Sequence, residues 1–185
     1  MNDLKDSELI SKYLDGDEKS LEVLIKRYIK QLYGFAYKYM RDDARADDVV
    51  QEAFIKAWKN LRNFDINGNF KAWLFSIAKN TALDLLKKKR AVPFSEIENE
   101  NGENFFEESI PDTLPLPEDF LIKKTLKGDV KKMLSRISKK YQEVISLRYE
   151  DGLTFREIAK VLGEPLNTVK SRHRRAIATL KDSFS

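Results

Sequence analysis

The stretch from Phe64 to Arg90 carries side chains suited to holding a nucleic-acid base. Phe64, Phe70, Trp73 and Phe75 supply rings, Asn67, Asn69 and Asn80 supply amides, Asp84 supplies a carboxylate, and Lys87-Lys88-Lys89-Arg90 supplies a run of cations. Rings stack on any unpaired base and lysines follow phosphates, so the combination suits single-stranded nucleic acid. The same residues also admit a plain structural role. Trp73, Ile77 and Asn80 or Thr81 share one helical stripe, and Leu74, Ala78, Ala82 and Leu85 or Leu86 share another, as in a helix that fills a core. A basic run at a helix C-terminus also complements the macrodipole.

A second set lies near the C-terminus. Thr154-Phe155-Arg156-Glu157 is a capping box that opens a short helix through Leu162, and Gly163-Glu164-Pro165 stops it. Asn167 or Thr168 is expected to cap a last helix running to Leu180. Helix, tight turn with glycine, helix is the helix-turn-helix arrangement, whose second helix enters the DNA major groove. On that helix Val169, Ala176 and Leu180 point inward, while Lys170, Ser171, Arg174 and Arg175 project from the other side with Arg172 at its edge. An arginine paired bidentately with guanine discriminates against a wrong base by about 1–3 kcal/mol. His173, the single histidine, falls four residues after Val169, near the inward stripe. With no carboxylate or second ligand accompanying it, it reads as a packed or edge histidine rather than a catalytic or metal-binding one.

A third set is acidic. In the segment from Ala44 to Leu61, Val50, Phe54, Ala57 and Leu61 form one helix face, while Asp47, Asp48, Gln51 and Glu52 with Ile55 form another. Such a face suits docking to a basic partner; it also suits a solvated helix side whose N-terminal negative charge favours the dipole.

The elements that position these sets are helical throughout. A first helix is expected over Ser7 to Leu14, capped by Asp6 or Ser7 and ended by Asp15-Gly16-Asp17. A longer one follows from about Glu18 to Met40, with Leu21, Leu24, Ile25, Tyr28, Leu32, Phe35 and Tyr39 at helical spacing; its stripe reads as core. After a break at Arg41-Asp42-Asp43, the Ala44–Leu61 helix and the Phe64–Arg90 stretch complete a helical domain. Residues 91–120 contain Pro93, Pro111, Pro115, Pro117 and the acidic Glu96, Glu98 and Glu100, with no helical stripe, and read as a linker. About 30 residues span roughly 30 Å as a relaxed coil and up to about 100 Å extended, enough to bridge two DNA turns. Beyond it, Leu126 to Arg136 and Tyr141 to Tyr149 are amphipathic, the latter with Val144, Ile145, Leu147 and Tyr149 as candidate core.

The bounds of the whole chain agree. It has 185 residues, 42% of them hydrophobic, and a net charge of +4. Residues 1–90 hold 18 basic and 14 acidic side chains, residues 91–120 hold none and 9, and residues 121–185 hold 16 and 7. Two basic blocks flanking an acidic connector point to polyanion binding at two separate places. The absence of cysteine excludes disulfides, thiolate metal sites and thiol catalysis. No apolar run approaches the roughly 18 residues of a membrane span, and Met1-Asn2-Asp3-Leu4-Lys5 lacks the order of a signal peptide, so a cytoplasmic protein without membrane insertion is expected.

Read together, the chain resembles bacterial RNA polymerase sigma factors of the extracytoplasmic-function (ECF) group over nearly its whole length. Three segments carry the resemblance: Asp47-Asp48-Val49-Val50-Gln51-Glu52-Ala53-Phe54-Ile55-Lys56-Ala57-Trp58; Trp73-Leu74-Phe75-Ser76-Ile77-Ala78-Lys79-Asn80 with Asp84; and Gly163-Glu164-Pro165-Leu166-Asn167-Thr168-Val169-Lys170-Ser171-Arg172. The resemblance implies an all-α protein of two small domains, residues 1–90 (region 2) and 121–185 (region 4, with the helix-turn-helix), joined by an acidic flexible linker over 91–120. It implies that Asp47, Asp48, Gln51, Glu52 and Ile55 dock on the clamp helices of the polymerase's largest subunit. Phe64, Asn67, Asn69, Phe70, Trp73, Asn80, Asp84 and Lys87 would capture a flipped base and the melted strand of the minus-ten element. Thr168, Lys170, Ser171, Arg172, Arg174 and Arg175 would read the minus-thirty-five element in duplex DNA. Further implied partners are the flap of the second-largest subunit and an anti-sigma factor, and the linker would cross a basic polymerase channel. Two positions depart from the family pattern: Glu164 replaces a common aliphatic residue, and Ile177 stands where a second arginine is frequent.

In this family the polymerase supplies the catalysis. No nucleophile pair, metal cluster or phosphate-binding glycine loop is evident in the sequence, so no catalytic residue, metal or cofactor is expected. The rival assignments are an autonomous helix-turn-helix regulator, which leaves the Trp73–Asn80 match unexplained, and an interaction protein acting through its acidic surfaces. A nucleic-acid enzyme is the weakest of them.

Overall fold

In a computed structural model, residues 4–89 and 137–182 are described, and every regular element among them is helical. The chain divides into two compact units, Met1–Glu98 and Asn99–Ser185. The expected linker and the Leu126–Arg136 helix lie outside the described residues. None of the described helices is long and apolar enough to cross a membrane.

The first unit contains α1 (Asp6–Leu14), α2 (Glu18–Met40), α3 (Asp43–Asn60), a 3-10 turn (Leu61–Asn63) and α4 (Phe70–Lys89). Helix α1 starts one residue earlier than expected, and neither Asp6 nor Ser7 caps it; Lys5 occupies that position. Glu8 closes the first turn by accepting from the Lys5 amide at 2.7 Å. The Asp6 carboxylate reaches across to α2 instead, accepting from Arg27 Nη1 at 2.5 Å and from the Tyr28 hydroxyl. Arg27 Nη2 also donates to the Leu4 carbonyl at 2.9 Å. A residue that caps by local pattern is thus taken over by a stronger, charge-assisted partner.

Helix α2 has the expected bounds. Asp17 caps it, accepting from Lys19 N at 3.1 Å and Ser20 Oγ at 2.8 Å, and Arg41 ends it at φ 52°. Leu24, Tyr28, Leu32 and Phe35 are buried on the side that meets α3 and α4. Leu21, Ile25 and Tyr39 are half-buried flanks of the same stripe. Helix α3 is capped by Asp42, which accepts from Arg45 N at 2.9 Å. It buries Val49, Val50, Phe54 and Ala57. In α4 the core side is Phe70, Leu74, Phe75, Ala78 and Ala82 together with Thr81. Phe75 is completely buried against Phe35, ring centres 4.8 Å apart. A ring so placed contributes about 1.5–3 kcal/mol by burial.

The second unit contains α5 (Lys139–Tyr149), α6 (Phe155–Leu162) and α7 (Leu166–Asp182). Val144, Ile145 and Leu147 of α5 are buried as expected, and Tyr149 is half-buried. The capping box forms in both directions: Glu157 N donates to Thr154 Oγ1 at 3.3 Å, and Thr154 N to Glu157 Oε2 at 2.8 Å. Helix α6 ends at Gly163, φ 68°, where Gly163 N donates to the Lys160 carbonyl and Glu164 N to the Ala159 carbonyl. That pair of bonds needs a left-handed residue, which glycine adopts without a steric penalty. Helix α7 begins before either expected cap. Val169 N donates to the Pro165 carbonyl at 3.2 Å, so Asn167 and Thr168 already lie within its first turn. Proline fits this boundary because its missing N–H is one that a helix start leaves unpaired in any case.

Replacing Thr154 with alanine removes one arm of the capping box. We expect Thr154→Ala to cost about 1 kcal/mol. Thermal unfolding followed by circular dichroism, wild type against variant, checks this; an unchanged midpoint would show that Glu157 alone suffices.

Candidate functional site

The acidic face forms as its spacing requires. Asp47, Asp48, Gln51 and Glu52 are all exposed, and Ile55 is an exposed large apolar side chain in the same row, 46% accessible. The structure adds that Asp48, Gln51, Glu52 and Ile55 form one wall of an open groove of about 670 Å³, whose other wall is α4 with Thr81, Asp84, Lys87 and Lys88. Lys56 spans the two walls: its Nζ lies 3.5 Å from Glu52 Oε1 and donates to Thr81 Oγ1 at 3.2 Å. Sequence reasoning missed Lys56. The available signal was its position four residues after Glu52, the spacing of an intrahelical ion pair.

The aromatic loop is at the other end of α4. A helix rises about 1.5 Å per residue, so Trp73 and Asp84 are roughly 16 Å apart along the axis. Asp84 and Lys87 therefore belong with the acidic groove and not with the rings, whereas Asn80 is exposed between the two. Within the loop, the turn runs from Asp65 to Gly68: Gly68 N donates to the Asp65 carbonyl at 2.7 Å, and Asn67 N to Asp65 Oδ1 at 3.0 Å. Gly68 does not have positive φ. Its lack of a side chain serves close approach, since a Cβ there would sit 3.0 Å from the Asp65 carbonyl oxygen and 3.7 Å from the Phe64 ring.

Two predicted base-binding residues also have structural roles. Phe70 is only 2% exposed, enclosed by Tyr28, Phe64 and Trp73 with ring centres 5.6, 5.6 and 5.8 Å away, so its face is not open to a base. Asn69 caps α4, its Oδ1 accepting from Ala72 N at 3.0 Å. Phe64 and Trp73, 5.0 Å apart and both half-buried, retain an outer edge. Asn67 and Asn80 are exposed. Phe70 is the floor on which Phe64 and Trp73 rest.

In α7, Val169, His173, Ala176 and Leu180 are buried, while Arg174 and Arg175 are exposed and Thr168, Lys170 and Ser171 half-exposed. Ser171 Oγ donates to the Thr168 carbonyl at 2.9 Å, which leaves its oxygen free only to accept. Arg172 departs from the expected edge position: its Nη1 lies 2.5 Å from Glu164 Oε2, and the side chains are only 18% and 28% exposed. Ile177 packs against the cluster of Ile137, Ile145, Ala176 and Leu180. Its apolar side chain thus has a packing role at a position where the family pattern favours arginine.

His173 is packed as expected. Its Nε2 is 2.9 Å from the Tyr149 hydroxyl, and the Phe155 ring stands edge-on with its centre 5.0 Å away. Burial, with the Arg148 charge as a lesser cause, pushes its pKa down to about 4. Burial shifts Tyr149 upward, so a protonated phenol faces a neutral imidazole, and the histidine tautomer sets which of the two donates.

The chain matches the family models for Sigma-70 region 2 over residues 24–92 and Sigma-70, region 4 over residues 127–180. It is 32% identical over 168 residues to the ECF RNA polymerase sigma factor SigW of Bacillus subtilis, covering 90% of this chain and 89% of that one. The chain belongs to the ECF sigma factors. Among other relatives, it is 33% identical over 174 residues to the ECF RNA polymerase sigma-E factor of Escherichia coli (strain K12), covering 94% and 91% of the two chains. A solved structure of CnrH in complex with the cytosolic domain of CnrY is similar over 97% of this chain and 96% of that one, with 26% identity and a TM-score of 0.62. The fold is also that of the sigma factor RpoE in its complex with the anti-sigma factor NepR from Bartonella quintana: 24% identity, TM-score 0.58, covering 89% and 96%. All three sequence segments that carried the resemblance fall inside the two matched regions of this ECF sigma factor.

Proposed function

We propose that this ECF sigma factor recruits core RNA polymerase to its promoters through three surfaces, each with one task. Asp47, Asp48, Gln51, Glu52 and Ile55 dock on the clamp helices of the largest subunit, and Asp84 and Lys87 extend that docking site across the groove. The exposed apolar Ile55 amid carboxylates carries this assignment, because it offers a buried contact at the centre of a charged rim. Phe64 and Trp73, with Asn67 and Asn80, receive the flipped minus-ten base and the melted strand. Flipping costs a few kcal/mol, which one or two stacking contacts of about 1–3 kcal/mol each offset. Lys170, Ser171, Arg174 and Arg175, with Thr168 beside them, read the minus-thirty-five element in the major groove.

The functional domains are residues 1–90 and 121–185. Residues 91–120, with no basic and 9 acidic side chains, cross a basic polymerase channel as a mimic of nucleic acid. Region 4 meets the flap of the second-largest subunit. The protein acts in the cytoplasm, has no catalytic activity of its own, and has an anti-sigma factor among its partners.

Run-off transcription and permanganate footprinting on a pool of genomic promoters, with core polymerase and with or without this protein, test the proposal. We expect transcripts and an open bubble that require both components. Asn80→Ala should keep polymerase recruitment but lose the bubble by about tenfold, the equivalent of one contact of about 1.4 kcal/mol. Tight promoter footprints without polymerase, and no bubble with it, would point instead to an autonomous regulator.

A further inference from the structure

Glu164 sits in the turn between α6 and α7, immediately after the left-handed Gly163, and Arg172 lies two turns into α7. The turn places the Glu164 carboxylate beside the helix, with Arg172 Nη1 2.5 Å from its Oε2. That oxygen is buried and has no hydrogen bond aligned on it, so the contact is one of charge. At 18% and 28% exposure, water screens the pair poorly.

We propose that Glu164 is a specificity-determining residue of the promoter-reading helix: its carboxylate sequesters Arg172 and removes one cation from those that α7 offers to DNA. This rests on the assignment of α7 as the reading helix. A phosphate or a guanine edge can take Arg172 only by breaking its 2.5 Å contact with a poorly screened carboxylate, which opposes the exchange. Among the described residues, no carboxylate is paired with the exposed Arg175. A chain with an uncharged residue at 164 would therefore present a different set of donors from the same helix sequence. Glu164 thus narrows what this α7 reads, beyond the identity of its exposed arginines.

The test uses holoenzyme assembled from the full chain and core polymerase, with a promoter obtained from its transcription. Affinity for a duplex carrying the upstream element is measured over a series of salt concentrations. Glu164→Gln is expected to steepen the slope of log K against log salt by about 0.9, the value of one added phosphate contact. Binding should also tighten several-fold at low salt. Both changes should vanish in an Arg172→Ala background, and Arg172→Ala alone should leave the slope unchanged. Because Arg172→Ala leaves Glu164 without its counter-charge, the double variant Glu164→Gln/Arg172→Ala, which has no unpaired charge at this site, provides the well-folded reference, verified by circular dichroism.

Each of the following results would overturn the proposal. A shallower slope for Arg172→Ala would mean that Arg172 already contacts DNA. A gain from Glu164→Gln that persists without Arg172 would reduce the effect to loss of a negative charge near DNA. Weaker binding by Glu164→Gln would make the carboxylate a guide that aims Arg172 at DNA. As a control on the underlying assignment, Arg174→Ala/Arg175→Ala must make the slope shallower; if it does not, α7 is not the reading helix, and both readings fall together. With that control satisfied, an unchanged Glu164→Gln slope sinks the Glu164 proposal alone.

Discussion

In an NMR titration of the full chain, the imidazole of His173 is expected to change protonation near pH 4 and not near its ordinary 6.5. The measurement is clean because the chain has a single histidine. Its cause is the enclosure of the ring by Phe155 and Tyr149, with Arg148 opposing a second positive charge nearby. The sign follows from linkage. The folded-state pKa lies below the unfolded one, so between pH 6.5 and 4 the unfolded chain binds the additional proton. Titration of His173 contributes nothing to stability at neutral pH, and stability falls as pH drops from about 6.5 to about 4. The full loss is about 3 kcal/mol, a large share of what a small helical unit has. His173→Phe keeps a ring in the site and removes the proton, so its unfolding curve should lack this part of the acid dependence. Carboxylates titrate in the same window, and the difference between wild type and variant isolates the histidine. A His173 pKa of 6 or above would refute the burial account.

Loss of the two exposed arginines of α7 should have the other large effect. Arg174→Ala/Arg175→Ala is expected to reduce holoenzyme affinity for the upstream promoter element by about 10- to 100-fold for each arginine that contacts guanine, at about 1–3 kcal/mol each. Neither side chain is buried, so the fold of the second unit should survive the change. Recruitment of core polymerase by the first unit, and binding to a template opened beforehand around the minus-ten element, should persist. Filter binding at fixed salt on duplex and on pre-opened templates separates the two effects. Equal occupancy of the duplex by wild type and variant would remove α7 from promoter reading.

Helix periodicity is legible wherever one stripe is apolar and the caps are local. The bounds of α2, the break at Arg41, the Thr154–Glu157 box and the stop at Gly163 depend on residues within four positions of one another, and all stand as their spacing implies. The cap of α1 is not legible, because Asp6 is captured by Arg27 and Tyr28, more than 20 positions away. The start of α7 differs for a milder reason: Pro165 is as good a boundary as a polar cap, and pattern alone favours the polar residues.

The candidate site divides in the same way. Exposure of the acidic row on α3 and of Arg174 and Arg175 on α7 follows from which side of each helix is apolar, so periodicity suffices. Family membership was likewise readable from three short segments in order. The fate of rings and pairs was a matter of packing. Phe64, Phe70 and Trp73 look equivalent as residue types, yet Phe70 becomes the floor because Tyr28 from another helix covers its remaining side. Asp84 and Lys87 join the acidic groove because α3 lies beside the far end of α4. Arg172 is taken out of the basic face by a glutamate across the turn. Local spacing sets the direction in which a side chain leaves its helix; what it meets there is set by contacts between helices.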